Sequence, residues 1–178
     1  MGRWKMGWRN AVLLAMIMAA CAAARAQAPA YKLGTTPTPE QIRAWDITIG
    51  NDGKGLPPGK GTADEGEKIY NEKCAACHGI NGTGGEAPAL AASTSGHPPY
   101  PLQVPFAPVV WDYIRRAMPM LIGPGTLKPD EVYSLTAYLF YKNNLIKEND
   151  VLDAQTLPKV KIPTHEAFVP PAVKPWKP

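Results

Sequence analysis

The sequence predicts an all-α domain of three main helices, enclosed by two segments in which Gly and Pro prevent regular structure. Two observations lead to this prediction. Residues 62–146 contain three stretches with helical hydrophobic periodicity, each with its own start or stop signal. Residues 27–61 are rich in Gly and Pro and residues 147–178 in Pro, and neither has a helical period. We therefore divide the chain into 1–26, 27–61, 62–146 and 147–178.

Residues 1–26 are typical of an export signal. Three basic residues precede an apolar run, Ala11–Ala24, and small residues follow at the positions that a signal peptidase reads, which predicts cleavage after Ala26. A run of 14 residues is shorter than the roughly 20 that cross a bilayer, so a transmembrane anchor is not expected. Lipid attachment at Cys21 is an alternative. The expected location is the periplasm.

The charge balance supports no nucleic-acid partner. The chain has 19 basic and 15 acidic residues, but four of the basic residues and none of the acidic ones lie in residues 1–26. The mature chain is therefore neutral, and the basic surface that nucleic acid requires is not indicated.

The sequence predicts one helical turn in residues 27–61 and a full helix at the start of residues 62–146. Thr38-Pro39-Glu40-Gln41 is suited to start a turn that leads to Trp45. Thr62 and Glu65 form a capping box that starts the first main helix, which we expect to end near Cys74. Gly66 costs about 1 kcal/mol relative to Ala inside a helix, so we expect another helix to cross there at close range.

Prolines delimit the second and third main helices. The second is expected to start near Pro108, and Pro119 ends it by disfavouring helical geometry at Met118. The third is expected over Pro129–Lys142, with acidic residues in its first turn. Three short helices joined by long loops make a weak core, and such chains usually need a metal, a disulfide or a cofactor.

The motif Cys74-Ala75-Ala76-Cys77-His78 supplies the expected cofactor. Each thiol can add to one vinyl group of haem, and the histidine is then placed beneath the iron as an axial ligand. A zinc site would need a second Cys or His pair at finger-like spacing, which the sequence lacks. We predict one covalently attached haem c.

Two further residues are candidates for the same site. His78 needs a partner for its second ring nitrogen, and the Pro88 carbonyl is well placed, although Pro88 is equally expected simply to stiffen the loop. Met118, which lies 40 residues after His78, is the candidate sixth ligand, since a thioether suits an electron carrier. Met120 and His97 are rivals, and core packing is the alternative role for Met118.

These features resemble a class I cytochrome c over residues 62–146. The resemblance implies that the first and last main helices cross through Gly66, Tyr70, Leu135 and Tyr138. A narrower resemblance is to the cytochrome c subunit of Sox-type sulfite or sulfane dehydrogenases. It is carried by segments that include Gly55-Leu56-Pro57-Pro58-Gly59, residues 112–119 and Val151-Leu152-Asp153-Ala154. The Met-Pro motif of that family corresponds to Met118-Pro119, and the resemblance thereby implies Met118 as the ligand. One departure is Lys128, where a Ser or Thr cap would be expected.

The narrower resemblance implies a role in electron transfer. In that family the cytochrome accepts electrons from a separate molybdenum subunit and passes them to a downstream cytochrome or oxidase, with no catalytic site beyond the haem. The alternatives are a free-standing carrier to a terminal oxidase, or a haem peroxidase or ligand sensor with an open iron position. Arg115 and Arg116 are expected to steer a partner, to pair with haem propionates, or to be ordinary solvated residues.

Overall fold

The computed structural model describes residues 7–25, 33–91, 96–121 and 123–168. The chain divides into two compact units, Met1–Asp46 and Ile47–Pro178. The predicted cleavage site after Ala26, the side chain of Cys21 and residues 169–178 of the C-terminal segment lie outside the described residues.

The first unit contains two helices, α1 (Trp8–Arg25) and α2 (Pro39–Trp45). Among the described residues, no helix has both the length and the apolar character needed to span a bilayer. The helical turn expected before Trp45 is present as α2. Thr38 caps it, because its hydroxyl accepts from the Gln41 amide and its own amide donates to Gln41 Oε1.

The second unit is built on five helices that appear in its described residues. They are α3 (Ala63–Lys73), α4 (Ala75–His78), α5 (Tyr100–Gln103), α6 (Ala107–Ala117) and α7 (Pro129–Lys142). Short 3₁₀ turns lie at Ile80–Gly82, Leu157–Lys159 and Pro163–His165. Two short strands, β1 (Lys60–Gly61) and β2 (Leu152–Asp153), pair antiparallel, with Lys60 opposite Asp153. The architecture is the all-α fold predicted from the sequence.

Local signals explain where the main helices begin and end. The Thr62 amide donates to Glu65 Oε2 at 3.0 Å, so the predicted capping box starts α3. Helix α6 ends at Ala117, and Met118 is extended ahead of Pro119. At α7 the expected cap is absent, and the Lys128 amide instead donates to Glu131 Oε2 at 2.8 Å. The Glu131 carboxylate, in the first turn of α7, thus satisfies the Lys128 amide, one of the backbone amides at the helix start that lack a partner within the helix.

Helices α3 and α7 cross at Gly66, as the sequence predicted. A Cβ atom at Gly66 would collide with the backbone carbonyl of Ser134 on α7. Residues 132–140 of α7 are all buried, because this helix is covered by α3 on one side and by other segments elsewhere. The crossing is therefore set by the missing side chain at Gly66.

Both flanking segments pack onto this helical core. From the N-terminal side, the Pro57 carbonyl accepts from Tyr133 Oη at 3.0 Å, and the Lys60 amide donates to Asp130 Oδ1 at 2.8 Å. From the C-terminal side, Leu157 is fully buried in the core cluster. The composition boundaries at 61/62 and 146/147 therefore lie within one compact unit, which begins at Ile47.

Candidate haem site

The cysteine–histidine motif occupies a single helical turn directly after α3. The Cys74 amide donates to Tyr70 O at 2.8 Å, which ends α3, and the His78 amide donates to Cys74 O at 3.0 Å, which closes α4. Neither Cys74 nor Cys77 is in a disulfide, and both thiols are partly exposed. The turn thus presents two thiols and one imidazole in the order that haem attachment requires.

Burial keeps the first thiol protonated. It raises the pKa of Cys74 to about 11, with the nearby Lys73 ammonium acting in the opposite direction. A thiol in this environment is not a reactive free thiolate at neutral pH. Cys74 is therefore not suited to be the attacking thiol of dithiol redox chemistry.

The imidazole of His78 is oriented by a backbone carbonyl. Its Nδ1 lies 2.8 Å from Pro88 O, and a ring nitrogen can hydrogen-bond to a carbonyl only as an N–H donor. The tautomer with the proton on Nδ1 leaves the Nε2 lone pair available for a metal ion. Pro88 therefore holds the histidine through its carbonyl, in addition to any stiffening of the loop.

Short hydrogen bonds hold the loop that carries Pro88. The Ala87 amide donates to Cys77 O at 2.9 Å, and the Gly84 amide donates to His78 O at 2.8 Å. The loop is thereby folded back on the motif itself. The position of the Pro88 carbonyl follows from these bonds.

Gly79 and Tyr70 complete this loop, and neither was assigned a role in the site from the sequence. Gly79 has a φ of 78°, and a Cβ atom there would collide with Gly84 O. Tyr70 Oη donates to Gly79 O at 3.0 Å and so links α3 to the residue after the histidine. A glycine directly after the motif is visible in the sequence, whereas the contact with Tyr70 depends on tertiary packing.

The candidate methionines differ in exposure. Met118 is partly buried and packs against the hydrophobic core, whereas the Met120 side chain is 66% exposed. The Met118 amide donates to Ile114 O at 3.0 Å, so Met118 is held at the end of α6. His97, the other rival, lies exposed in the loop before α5. Of the three side chains, Met118 is the one directed toward the apolar interior.

The two arginines at the end of α6 make contacts within the chain. Arg116 Nε lies 2.8 Å from both Asp112 carboxylate oxygens, and Arg116 Nη2 donates to Ile47 O at 2.7 Å. The Arg115 guanidinium lies over the Trp111 ring, 5.6 Å from its centroid. Arg116 therefore ties the N-terminal segment to α6, a structural role beyond that of an ordinary solvated residue.

The donor set fits a covalently bound haem. It combines two unpaired thiols at the required spacing, an imidazole with its Nε2 available and a partly buried thioether. In c-type haem proteins, thioether bonds from two cysteines attach the haem, and imidazole and methionine thioether groups bind its iron. The residues at this site therefore have the chemistry that covalent attachment of haem and ligation of its iron require.

Comparison with known proteins agrees with this match. Residues 63–141 match the family model described as cytochrome c. The structure resembles the sulfane dehydrogenase SoxCD from Paracoccus pantotrophus, with 34% identity and a TM-score of 0.69 over 80% of this chain and 73% of that chain. Cytochrome cL from Hyphomicrobium denitrificans is 24% identical, with a TM-score of 0.37 over 67% and 66% of the two chains. No curated protein matches the sequence.

The likeness to SoxCD extends beyond the segment that carries the haem motif. The family model spans 79 of 178 residues, whereas the structural match covers 80% of the chain. Parts of the flanking segments therefore share the architecture of that protein. On this identity and coverage, the chain belongs to the cytochrome c family, whose domain implies a covalently bound haem c.

Proposed function

We propose that this chain is a periplasmic cytochrome with one haem, and that it carries single electrons as the accepting subunit of a molybdenum sulfite or sulfane dehydrogenase. The observation that carries the electron-transfer role is the contact between His78 Nδ1 and Pro88 O, 2.8 Å long, on a turn that also presents both thiols. A histidine fixed in this way would be suited to hold haem iron.

The residues of this chain have distinct tasks in that role. Cys74 and Cys77 would hold the haem through two carbon–sulfur bonds to its vinyl groups, which would prevent its loss during turnover. His78 would hold the iron through Nε2, and Met118 would supply a thioether ligand, which favours reduced iron. Haem c, when bound, supplies the one-electron couple.

The narrower role is supported by the resemblance to SoxCD, which is a sulfane dehydrogenase. The electron donor would be the catalytic molybdenum subunit, and the acceptor a downstream cytochrome or oxidase. The export signal at residues 1–26 supports a periplasmic location.

Mass spectrometry of the mature protein tests the first part of this proposal. Protein made with intact haem-ligation machinery should begin at Gln27 and carry the mass of one haem. The variant in which both Cys74 and Cys77 are replaced by Ala should carry none, and exposed Asn71→Ala is a matched control on α3 that should keep it. A wild-type protein without the haem adduct would contradict the proposal.

Co-purification from the native host tests the second part. The tagged wild-type protein should bring down a molybdenum-containing subunit, detected by metal analysis, and that complex should reduce the haem when sulfite or a sulfane-sulfur compound is added. A redox-active cytochrome that is isolated alone from the same host would remove the dehydrogenase role and leave that of a free-standing carrier.

A further inference from the structure

We propose that Asn143, at the end of α7, is a positioning residue for His78, because its side chain holds the loop whose Pro88 carbonyl orients that imidazole. The proposal rests on the proposed electron-transfer function and adds a residue that tunes it. Asn143 directly follows the last residue of α7, where an asparagine ordinarily serves as a helix stop. It lies outside the motif and the loop, and it acts on the site through Leu90, two residues after Pro88.

The side-chain amide of Asn143 uses both of its hydrogens on backbone carbonyls. Its Nδ2 donates to Leu139 O at 2.7 Å, one turn earlier in α7, and to Leu90 O at 2.8 Å, 53 positions away in the sequence. The first bond caps the helix, and a plain cap would leave the second hydrogen to water. The second bond therefore joins the buried helix α7 to the loop.

This bond reaches the loop where Pro88 needs support. Pro88 is itself exposed, so side-chain packing alone does not hold it. Before it, the Ala87 amide donates to Cys77 O at 2.9 Å. After it, Leu90 packs against the core, and its carbonyl accepts from Asn143. The backbone is thus held on both sides of the carbonyl that orients the histidine, and the Asn143 bond ties one of these points to α7.

The position of the Pro88 carbonyl governs the electron density of the imidazole. Pro88 O lies 2.8 Å from His78 Nδ1, and an Nδ1 proton donated to a carbonyl makes the other ring nitrogen a stronger base. A more basic ligand favours oxidised iron, so a loop that moves away from His78 weakens this bond and raises the reduction potential. Asn143 therefore acts to keep the potential low.

The variant Asn143→Ser separates this role from that of a helix cap. A serine hydroxyl has one hydrogen and commonly bonds the carbonyl four positions earlier, which keeps the cap on Leu139 and releases Leu90. In the holoprotein we expect a reduction potential above that of the wild type, measured by voltammetry.

Proton exchange at His78 gives a second readout. In nuclear magnetic resonance spectra of the ferrous holoprotein, the Nδ1 proton of Asn143→Ser should exchange with solvent about fivefold faster, the factor that loss of one hydrogen bond gives to a local opening. The backbone amides of the buried residues of α7 are the internal reference and should exchange as in the wild type. Asn143→Ala, which removes both bonds, should show the same two changes with a lower stability.

The neighbouring Asn144→Gly is the matched control. Asn144 is exposed, and its φ of 58° suits glycine, so this variant removes an amide from the same turn without backbone strain. It should keep the wild-type potential and the wild-type exchange rate of the His78 proton.

The outcomes separate the inference from the proposed function. A reversible wild-type couple whose potential and His78 proton exchange are unchanged in Asn143→Ser and Asn143→Ala would overturn the inference alone. Equal acceleration of the His78 proton and the α7 amides would reduce Asn143 to a stabilising cap and also overturn it. A wild type without a reversible haem couple would overturn the proposed function, and the inference with it.

Discussion

The α-carbon of Gly66 lies directly against the backbone carbonyl of Ser134, at the point where α3 crosses α7. Helix α3 ends just before Cys74, the first cysteine of the motif, and α7 contributes more buried residues to the core than any other helix of the described residues. The close approach of two backbones at this point therefore fixes the helix that delivers Cys74 relative to the core of the unit.

Gly66→Ala should lower the free energy of unfolding of the holoprotein by about 2 kcal/mol, because the added methyl group has no space beside Ser134. Chemical denaturation followed by haem absorbance measures this. Asn71→Ala, on the exposed side of the same helix, should be neutral or slightly stabilising, since Ala has the higher helix propensity. A stabilising effect of Gly66→Ala would show that the crossing is looser than described.

Glu131→Gln should destabilise the protein by about 1 kcal/mol at pH 7. Glu131 Oε1 lies 2.6 Å from Lys73 Nζ, and this hydrogen bond lowers the pKa of the carboxyl below its ordinary 4.5. A carboxyl with a lowered pKa stabilises the fold above pH 4.5, and this contribution is lost as the pH falls through the lower, folded-state pKa.

The difference between wild type and Glu131→Gln should therefore shrink below about pH 4.5. Urea denaturation at pH 7 and pH 4 measures it, and Glu72→Gln, at an exposed position of α3, is the control with little effect at either pH. A difference that is equal at both values would count against the ion pair as its cause.

Met118→Ala should remove the weak long-wavelength charge-transfer band of the ferric protein and lower the reduction potential, because the thioether ligand is lost. The ferrous variant should also bind carbon monoxide rapidly. Met120→Ala is the control, since this side chain is 66% exposed, and it should keep the band and the potential. The reverse pattern would make Met120 the ligand.

Leu157→Ala should cost about 3 kcal/mol of stability, the usual result of deleting a fully buried leucine. Leu157 is 0% exposed and belongs to the core cluster, although it lies in the Pro-rich C-terminal segment. Thermal unfolding measures this loss, with exposed Val151→Ala as a near-neutral control. If the two variants unfold alike, the C-terminal segment adds little to the core.

Features that depend on neighbours in sequence were predictable, and those that depend on distant residues were not. The capping box at Thr62 and the proline at 119 act over a few residues, so α3 and the end of α6 were anticipated. The four-residue helix α5, the pairing of Lys60 with Asp153 and the burial of Leu157 have no local period or cap to reveal them.

The candidate site also has features that depend on neighbours in sequence, which were predictable, and features that depend on distant residues, which were not. The motif at Cys74–His78 is a local pattern, and the loop to Pro88 is short enough for its carbonyl to be anticipated as the histidine's partner. The sequence already favoured Met118 over Met120, and the structure adds that Met118 packs against the core while Met120 is exposed. The choice of sixth ligand stays a prediction. The bond between Arg116 and Ile47 O joins residues 69 positions apart, and no sequence rule points to it.

The β1–β2 pairing connects the two ends of the compact unit. Because Lys60 and Gly61 pair with Asp153 and Leu152, either flanking segment is the hydrogen-bonding partner of the other. Removing one would leave the other with an unpaired strand edge and would uncover part of the helical core that both segments pack against. Evolution would therefore be expected to keep both together, and a protein trimmed to residues 62–146 should lose the strand pair and the burial of Leu157 at once.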